Sequence, residues 1–302
     1  GEPAVDYRKR SFYWHSPWLY LLILLQMIIY LVVGVSVLLG VIEGITEFLP
    51  ISSTGHLLLA EQFLGARSDA YNIVIQAGAI LAVTLIYWRR LVGLVTGWND
   101  PANRDYLLKL LTAFGITAVL GLVVKKLGFE LPETVTPIAW ALVIGGIWMI
   151  WAESVAEKQP DRVAITWRVA IAVGIAQIIA GMFPGTSRSA ATIFAAMLLG
   201  TSNRAAATEF AFLVGIPTMY AASGYALLKE FKDGAGTEDW TGMGIAFVVS
   251  MVTAFVAVKW LLGYIRTHRF TAFAVYRIVF GAILLGLEIG RESCRERVSS
   301  PV

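Results

Sequence analysis

The composition of the chain is that of a membrane protein. Its 302 residues are 57% hydrophobic and only 15% charged, against about 25% charged residues in an average soluble domain. This argues against a soluble enzyme, a disordered protein and a nucleic-acid-binding protein, and the formal net charge of +3 is too small to say anything about an anionic partner. The single cysteine, Cys294, excludes an internal disulfide and a cysteine-based zinc site.

Both ends of the chain look foreign to the rest. Residues 1–26 carry a basic run followed by an apolar stretch from Trp18, a pattern that resembles a signal sequence or an extra span. They precede Met27, a candidate natural start. Residues 288–302 have no apolar period and resemble read-through of a sequencing adapter, so we expect a disordered or artefactual tail there. The sequence thus predicts a single membrane domain over residues 27–287.

Apolar runs predict about six full transmembrane helices, since a helix needs about 20 mostly apolar residues to cross a bilayer. Each run ends at charged residues, and Trp or Tyr lies near many of the ends, as in an aromatic belt at a membrane interface. Long apolar runs without period-two alternation favour a helical bundle over a membrane β-barrel. The predicted spans are residues 71–87, 106–124, 137–151, 206–228, 242–262 and 273–287.

Two further apolar segments, residues 33–64 and 169–199, are each broken in the middle by Pro, Gly, Ser and Thr. An offset of 134 residues superposes them and indicates an internal repeat, with repeat one at about 33–124 and repeat two at about 169–264. Broken backbone cannot face lipid, so we interpret both segments as re-entrant helical hairpins. The aligned pairs are Pro50 with Pro184, Gly40 with Gly174, Glu43 with Gln177 and Ser53 with Ser187.

The number of spans between the hairpins predicts their direction. Three full spans separate them, so we expect the hairpins to enter the membrane from opposite faces. The predicted fold is an all-α, polytopic membrane helical bundle with an inverted-topology repeat, which commonly forms sites near the bilayer midplane. The face with more Lys and Arg in its loops, including loops 89–105 and 266–269, is the predicted cytoplasmic face. The first hairpin then opens outward, towards the periplasmic side.

Glu43 and Glu47 form a candidate metal site. They lie four residues apart and so share one face of a helix. A carboxylate inside a membrane costs at least about 2.5 kcal/mol on insertion scales, and two on one face repel each other unless a cation or a shared proton lies between them. The pair could snorkel to the interface, but both residues lie deep in an apolar run. We therefore predict a site for Mg²⁺ or Ca²⁺, which prefer oxygen ligands.

The first break carries hydroxyl groups and a histidine. The hydroxyls of Ser52 and Thr54 could cap the new helix or contact a substrate. His56 follows Ser53 by three residues, so the two side chains can face the same way. The pair predicts either a serine nucleophile with its histidine base or a histidine that acts on water.

The second break carries a basic group. Between Pro184 and Thr192 it combines a glycine, several hydroxyls and Arg188. The carboxylates of the first hairpin could pair with this guanidinium for purely structural reasons. An Arg beside a helix N-terminus is also suited to bind phosphate. A cation site on one tip and a phosphate cradle on the other together predict a diphosphate between them.

The two break motifs resemble those of a known family. The first runs from Glu43 to His56 as EGITEFLPISSTGH, and the second from Pro184 to Thr192 as PGTSRSAAT. Both motifs are long, and with shorter similar stretches elsewhere the resemblance covers about residues 27–287. On these motifs the chain resembles the undecaprenyl-pyrophosphate phosphatase family of the bacitracin-resistance type.

The resemblance implies a hydrolase of the bacterial inner membrane that removes one phosphate from undecaprenyl diphosphate or shorter polyprenyl diphosphates, with Mg²⁺ or Ca²⁺ as cofactor. The product is the lipid carrier for peptidoglycan synthesis, on which cell wall biogenesis and cell shape depend, and the activity implies bacitracin resistance. The family's functional positions fall on Glu43, Glu47, Ser53, His56 and Arg188. The same motifs hold further candidates for substrate binding: Ser52, Thr54, Ser187, Ser189 and Thr192.

Two other functions stay open from the residues alone. A polyprenyl-phosphate flippase or secondary transporter could share the inverted repeat, and a structural subunit could bind anionic lipid without chemistry. The pair of Ser53 and His56 beside two carboxylates favours the phosphatase, because transport needs no nucleophile. We expect the diphosphate and the lipid bilayer as partners, no nucleic acid, and a chain compatible with a homodimer.

Overall fold

The computed structural model describes residues 17–128, 134–233 and 239–299. Within these ranges the chain forms eleven α-helices. They are α1 (Pro17–Thr46), α2 (Ser53–Leu64), α3 (Asp69–Ile86), α4 (Trp88–Thr96), α5 (Pro101–Lys126), α6 (Val135–Ala156), α7 (Trp167–Met182), α8 (Arg188–Leu199), α9 (Arg204–Asp233), α10 (Trp240–Tyr264) and α11 (Thr271–Ser299).

Seven helices in the described ranges are long and apolar enough to cross a membrane. Six of them coincide with the predicted full spans and lie in α3, α5, α6, α9, α10 and α11, while the seventh is the Leu24–Thr46 part of α1. The helices α2, α4, α7 and α8 are shorter. The predicted all-α, polytopic fold is confirmed, whereas re-entrant entry of the two hairpins stays a prediction.

The helices at the two ends are longer than the apolar pattern indicates. α1 runs without interruption from Pro17, so part of the segment that we expect to be foreign and the first arm of the first hairpin share one helix. α11 continues to Ser299 through residues for which we expect a disordered tail. That stretch is rich in Glu and Arg, which favour helix without any apolar period.

The first arm of each hairpin packs against a helix of the other repeat. α1, the first arm of the first hairpin, packs along α10, and α7, the first arm of the second, packs against α5. A Cβ added at Gly40 would lie 2.6 Å from the carbonyl oxygen of Ala246, and one at Gly174 would lie 2.8 Å from that of Ala113. Only residues without a side chain allow such close approach, which is common between membrane helices. The two glycines that the offset aligns therefore occupy equivalent contacts.

Each hairpin turns at a serine with positive φ. The angle is 72° at Ser52 and 68° at Ser187, and no other non-glycine residue in the described ranges has a positive φ. Residues with a Cβ rarely adopt this conformation, and strain of this kind is concentrated at functional sites. α2 begins directly after Ser52 and α8 directly after Ser187. The structure therefore aligns Ser53 with Arg188 and corrects the predicted pairing of Ser53 with Ser187.

One additional residue in the second break causes this correction. Ser187 is the third residue after Pro184, whereas Ser52 is the second after Pro50. Gly185 lies in the longer stretch with a φ of 90°, and a Cβ there would lie 2.8 Å from the carbonyl oxygen of Ile138. The insertion is thus accommodated by a residue that has neither a Cβ nor a strong preference for negative φ.

The two breaks contact each other inside the protein. At the first break, the ring of Phe48 also packs edge-on against that of Phe212 on α9, with 5.2 Å between the centroids. The hydroxyl of Ser189, in the second hairpin, donates a hydrogen bond of 3.1 Å to the carbonyl oxygen of Leu49, in the first. A carbonyl freed by the first break is therefore satisfied by protein, as irregular backbone at membrane depth requires.

Candidate active site

The contact between the breaks brings residues of both motifs to one place, which we call the break junction. A narrow cavity there is lined by Glu47 from the first hairpin and by Arg188 and Thr192 from the second. Gln177 and Ser189 lie in the same wall. The junction therefore combines acidic, basic and hydroxyl groups that lie far apart in the sequence.

Glu43 and Glu47 are both buried, with exposed fractions of 1% and 8%. Their carboxyl groups interact with each other, and Glu43 is also attracted by the guanidinium of Arg188. One oxygen of Glu43, Oε2, is buried without a hydrogen-bond partner in the described part of the chain. Two adjacent buried carboxylates with one oxygen unsatisfied need a proton or a cation between them.

Ser53 is held by a carboxylate and not by the histidine. Its Oγ donates a hydrogen bond of 2.6 Å to Oε2 of Glu47. We expected His56 to be its partner because the two residues lie within one helical turn. The structure corrects this, because the chain enters α2 with the Ser53 side chain turned back towards the end of α1. An O–H···O⁻ contact of this length is typical of a strong, charge-assisted hydrogen bond.

His56 is engaged on both ring nitrogens. Nδ1 lies 2.7 Å from the carbonyl oxygen of Ser52, and Nε2 lies 2.7 Å from the hydroxyl of Tyr276 on α11. Because a carbonyl oxygen can only accept, Nδ1 carries the hydrogen, and Nε2 of the neutral ring accepts from Tyr276. The ring also stacks on Phe280 at 4.3 Å between centroids. The histidine therefore faces α11 and not the hydroxyl of Ser53.

Arg188 is the first residue of α8 and lines the junction cavity. Its guanidinium forms no salt bridge with any carboxylate in the described ranges, although Glu43 attracts it electrostatically. The direct structural ion pair that we considered for this residue is therefore absent from that part of the chain. A guanidinium at a helix N-terminus is suited to an oxyanion.

The remaining hydroxyls of the second motif have partners within the protein. Ser187 caps α8 by accepting from the backbone N–H of Ala190 and lies 3.0 Å from the Ser189 hydroxyl. Thr192 donates to the carbonyl oxygen of Arg188 at 2.8 Å. These contacts shape the break and the first turn of α8. The substrate-binding roles expected for these three residues stay predictions.

The hydroxyl residues of the first motif differ in their surroundings. Ser52 is buried, with 3% of its surface exposed, and its carbonyl orients His56. Its side chain makes no capping hydrogen bond to α2. Thr54 lies beside Ser53 in the wall of a second, wider cavity of about 190 Å³. Of the two, only Thr54 lines a space that a ligand could enter.

The carboxylate pair is compatible with the predicted metal. In the described ranges no group of three or more His, Cys, Asp or Glu side chains could hold an ion, so Glu43 and Glu47 offer two protein ligands. Mg²⁺ commonly uses one or two carboxylates and completes its shell with water and phosphate oxygens. The unpartnered Oε2 of Glu43 fits such an ion.

The comparison with known proteins decides the family. A sequence model described as "Bacitracin resistance protein BacA" matches residues 36–283. The chain belongs to this family. It is 75% identical over 253 residues to a protein of Rhizobium johnstonii named undecaprenyl-diphosphatase. The aligned residues make up 83% of this chain and 96% of that relative. A relative of the same name from Rhizobium etli is 74% identical over 253 residues, again 83% of this chain and 96% of the relative. Another from Xanthomonas euvesicatoria is 64% identical over 251 residues, which are 83% of this chain and 95% of the relative.

Membership of the BacA family, together with the seven membrane-capable helices, makes this chain a multi-pass membrane protein. The family resemblance inferred from the two break motifs is thus confirmed, and both motifs lie inside the matched region.

Two residues that our sequence analysis did not single out as chemical groups support the junction of this BacA family member. Tyr276 holds His56, as described above. Arg277, its neighbour on α11, is completely buried, and its guanidinium donates to the carbonyl oxygens of Gly185 and Thr186 at 3.0 Å each. The available signal was a Tyr-Arg pair inside an apolar span, where an ionisable residue is a functional candidate by default.

Proposed function

We propose that the protein hydrolyses undecaprenyl diphosphate to undecaprenyl phosphate and inorganic phosphate. In the bacterial inner membrane this reaction recycles the lipid carrier for peptidoglycan synthesis and confers bacitracin resistance. The observation that carries the proposal is the hydrogen bond of 2.6 Å from Ser53 to Glu47, at a junction that also holds Arg188. The names of the relatives, undecaprenyl-diphosphatase, support the same substrate.

Ser53 is the proposed nucleophile, with Glu47 as its base. Glu47 accepts the hydroxyl proton while Oγ forms a bond to the terminal phosphorus. The bond from that phosphorus to the bridging oxygen breaks, and undecaprenyl phosphate leaves with the electron pair. Water then attacks the phosphoserine, Glu47 returns its proton to Oγ, and the surplus proton of the water leaves with phosphate to solvent. This replaces His56, our expected base, with the residue that touches the hydroxyl.

Arg188 is the proposed phosphate clamp. Its guanidinium and the N-terminus of α8 both favour negative charge at the junction. Because the non-bridging oxygens gain charge as the phosphoryl group transfers, a preorganised bidentate donor stabilises the transition state more than the ground state. In the described ranges Arg188 forms no salt bridge with a carboxylate, which supports this role.

The proposed cofactor is Mg²⁺ or Ca²⁺, held by Glu43 and Glu47. When bound, the ion supplies positive charge that offsets the charge of the diphosphate and of the two carboxylates. The chain's own residues supply the rest: Glu47 orients Ser53, and the hydrogen bond from Ser189 to Leu49 keeps the two breaks together.

The proposed membrane arrangement has both hairpins re-entrant and entering from opposite faces, with the junction near the midplane. The cavity of about 190 Å³ beside Ser53 and Thr54 leads along α2 towards the α2–α3 loop, which the Lys and Arg distribution assigns to the periplasmic side. Shorter polyprenyl diphosphates are proposed substrates as well. A homodimer, and the alternative of a flippase or transporter, stay predictions.

The deciding experiment is phosphate release from farnesyl diphosphate by the detergent-purified protein, with and without EDTA. We expect Ser53→Ala to lower the rate of phosphate release at least about 1,000-fold, equivalent to about 4 kcal/mol in the barrier, because Ser53 is the hydroxyl that bonds to Glu47. Ser154→Ala, at an exposed hydroxyl on α6, is the matched control. If Ser53→Ala keeps a tenth or more of the activity, water is the attacking group. If the intact protein releases no phosphate, the proposed function fails.

A further inference from the structure

A wider cavity extends from the active site to the far end of α2. Its volume is about 190 Å³, and it lies mainly between α2 and α3. Glu43 and Ser53 line its inner end. Glu61 lies eight residues beyond Ser53 on α2, which corresponds to about 12 Å along a helix, and Asn72 faces it from the first turns of α3. We call the part lined by these last two residues the outer end.

Among the described residues, the only charged groups that line this cavity are acidic. Two carboxylates line it, those of Glu43 and Glu61, and none of its lining residues is basic. The amides of Asn72 and Gln76 are the other large polar groups in its wall. A bare diphosphate that enters this space passes the Glu61 carboxylate at the outer end and is repelled there.

Three oxygens in this wall lack hydrogen-bond partners in the described part of the chain. They are Oε2 of Glu43, Oε1 of Glu61 and Oδ1 of Asn72, and all three are buried. Glu43 itself is only 1% exposed. Buried acceptors are normally satisfied. The two at the outer end, on Glu61 and Asn72, therefore suit a cation or a hydrogen-bond donor.

Arg67 does not fill this need. It interacts with Tyr71, as Glu61 also does, but it does not line the cavity. No salt bridge joins it to Glu61 in the described ranges, and its own Nε lacks a partner there as well. Arg67 therefore forms no direct ion pair with the carboxylate at the outer end in the described ranges.

We propose that Glu61 and Asn72 form a second divalent-cation site at the outer end, separate from the pair of Glu43 and Glu47. Its ligands are a carboxylate and an amide oxygen, which suit a hard cation such as Mg²⁺ or Ca²⁺ with water completing the shell. The cation neutralises the entrance, so that the diphosphate passes inward as a metal complex. This last step rests on the proposed function; the binding of the ion does not.

Binding is tested with Mn²⁺ alone, which is visible by electron paramagnetic resonance, on the full-length detergent-purified protein without substrate. We expect the wild type to bind two ions per chain and Glu61→Gln to bind one. Asp69→Asn, at an exposed carboxylate that begins α3, is the matched control and keeps both. One ion in the wild type, or the same number and affinity in Glu61→Gln as in Asp69→Asn, overturns the proposal and leaves Glu61 protonated or hydrated.

Two further variants guard against misfolding of the first. Asn72→Leu keeps the side-chain volume but removes the amide oxygen. We expect it to lower the Mn²⁺ affinity of the outer site at least 5-fold. Glu61→Asp keeps the charge, and we expect it to retain the outer ion. Full Mn²⁺ affinity in Asn72→Leu contradicts the proposal.

The effect on catalysis separates this inference from the proposed function. In Glu61→Gln we expect the Mg²⁺ concentration for half-maximal phosphate release to rise 5- to 10-fold, with no change in Asp69→Asn. An unchanged Mg²⁺ requirement in Glu61→Gln rejects the escort role of the outer site. If the wild type binds two Mn²⁺ ions but releases no phosphate from any polyprenyl diphosphate, hydrolysis is rejected while the second cation site stands.

Discussion

The two helix breaks share a backbone plan but carry opposite chemistry. Both turn at a serine with positive φ, and a new helix begins at the next residue. That residue is Ser53 in the first break and Arg188 in the second. An internal repeat can therefore duplicate a turn and then divide a reaction between its copies, with the proposed nucleophile on one and the proposed phosphate clamp on the other.

The arms before the breaks differ in the same way. Glu43 in the first arm aligns with Gln177 in the second, where the amide donates to Thr117 at 3.0 Å. Glu47 has no acidic counterpart, since the equivalent position is Gly181. The first arm therefore concentrates negative charge at the junction, and the second arm keeps a neutral side chain that bonds to its neighbour α5.

One helix supports both tips. Adjacent residues of α11 reach different hairpins: Tyr276 bonds to His56 in the first, and Arg277 bonds to the carbonyls of Gly185 and Thr186 in the second. A shift of α11 would therefore move both sides of the junction together.

The largest effect that would test this division of roles is expected at Glu47. Glu47→Gln keeps the shape and can still bond to Ser53, but it cannot accept a proton, so we expect phosphate release to fall at least about 1,000-fold. Steady-state rates on farnesyl diphosphate over a range of Mg²⁺ concentrations are the measurement. Asp69→Asn serves as the control. A fall of less than 10-fold in the rate of phosphate release by Glu47→Gln would show that the first break does not supply the base.

The basic half of the comparison is tested at Arg188. Lys keeps the charge but cannot form the guanidinium fork, so we expect Arg188→Lys to lose about 100-fold in kcat/KM, or about 2.7 kcal/mol, while the protein still purifies as a folded species. Arg168→Lys, at an exposed residue of α7, is the matched control. A wild-type rate in Arg188→Lys would leave the second break with a structural role only.

A smaller effect is expected at the support on α11. His56 holds the carbonyl oxygen of Ser52, next to Ser53, and Tyr276→Phe removes the donor to its Nε2 while keeping the ring stack. We therefore expect a less firmly placed Ser53 and about a 10-fold lower kcat, or about 1.4 kcal/mol. Because Nε2 is then free to take a proton, we also expect a changed pH–rate profile. Tyr220→Phe, which removes a hydroxyl contact to Thr84, is the comparison. An unchanged rate and profile would mean that His56 needs no support from α11.

The smallest effect on chemistry is expected at the glycines that seat the arms. Gly40→Ala and Gly174→Ala each place a Cβ too close to a backbone carbonyl, and overpacking of this kind typically costs about 1–3 kcal/mol. We expect both to lower the melting temperature in detergent by similar amounts. Gly34→Ala, which meets nothing within 4 Å, should not. Different losses at Gly40 and Gly174 would show that the two arms are seated differently.

Part of the site was accessible from sequence and part was not. The motifs placed Glu43, Glu47, Ser53 and Arg188 in the junction region because each lies beside a break that the apolar pattern makes visible. The partner of Ser53 was predicted wrongly, since helical spacing favoured His56. Helical spacing carries no information about the direction in which the chain enters α2, which depends on the positive φ of Ser52.

By itself, the sequence determined the fold class, the six full spans and the family, because the length of an apolar run and the text of a motif are properties of neighbouring residues. Only the tertiary structure decided that Ser53 aligns with Arg188, that Glu47 holds Ser53, and that α11 supports both tips. These depend on a single added residue in one break and on contacts such as His56 to Tyr276, which join residues 220 positions apart. No local period records a contact of that separation, since it exists only once the helices have packed.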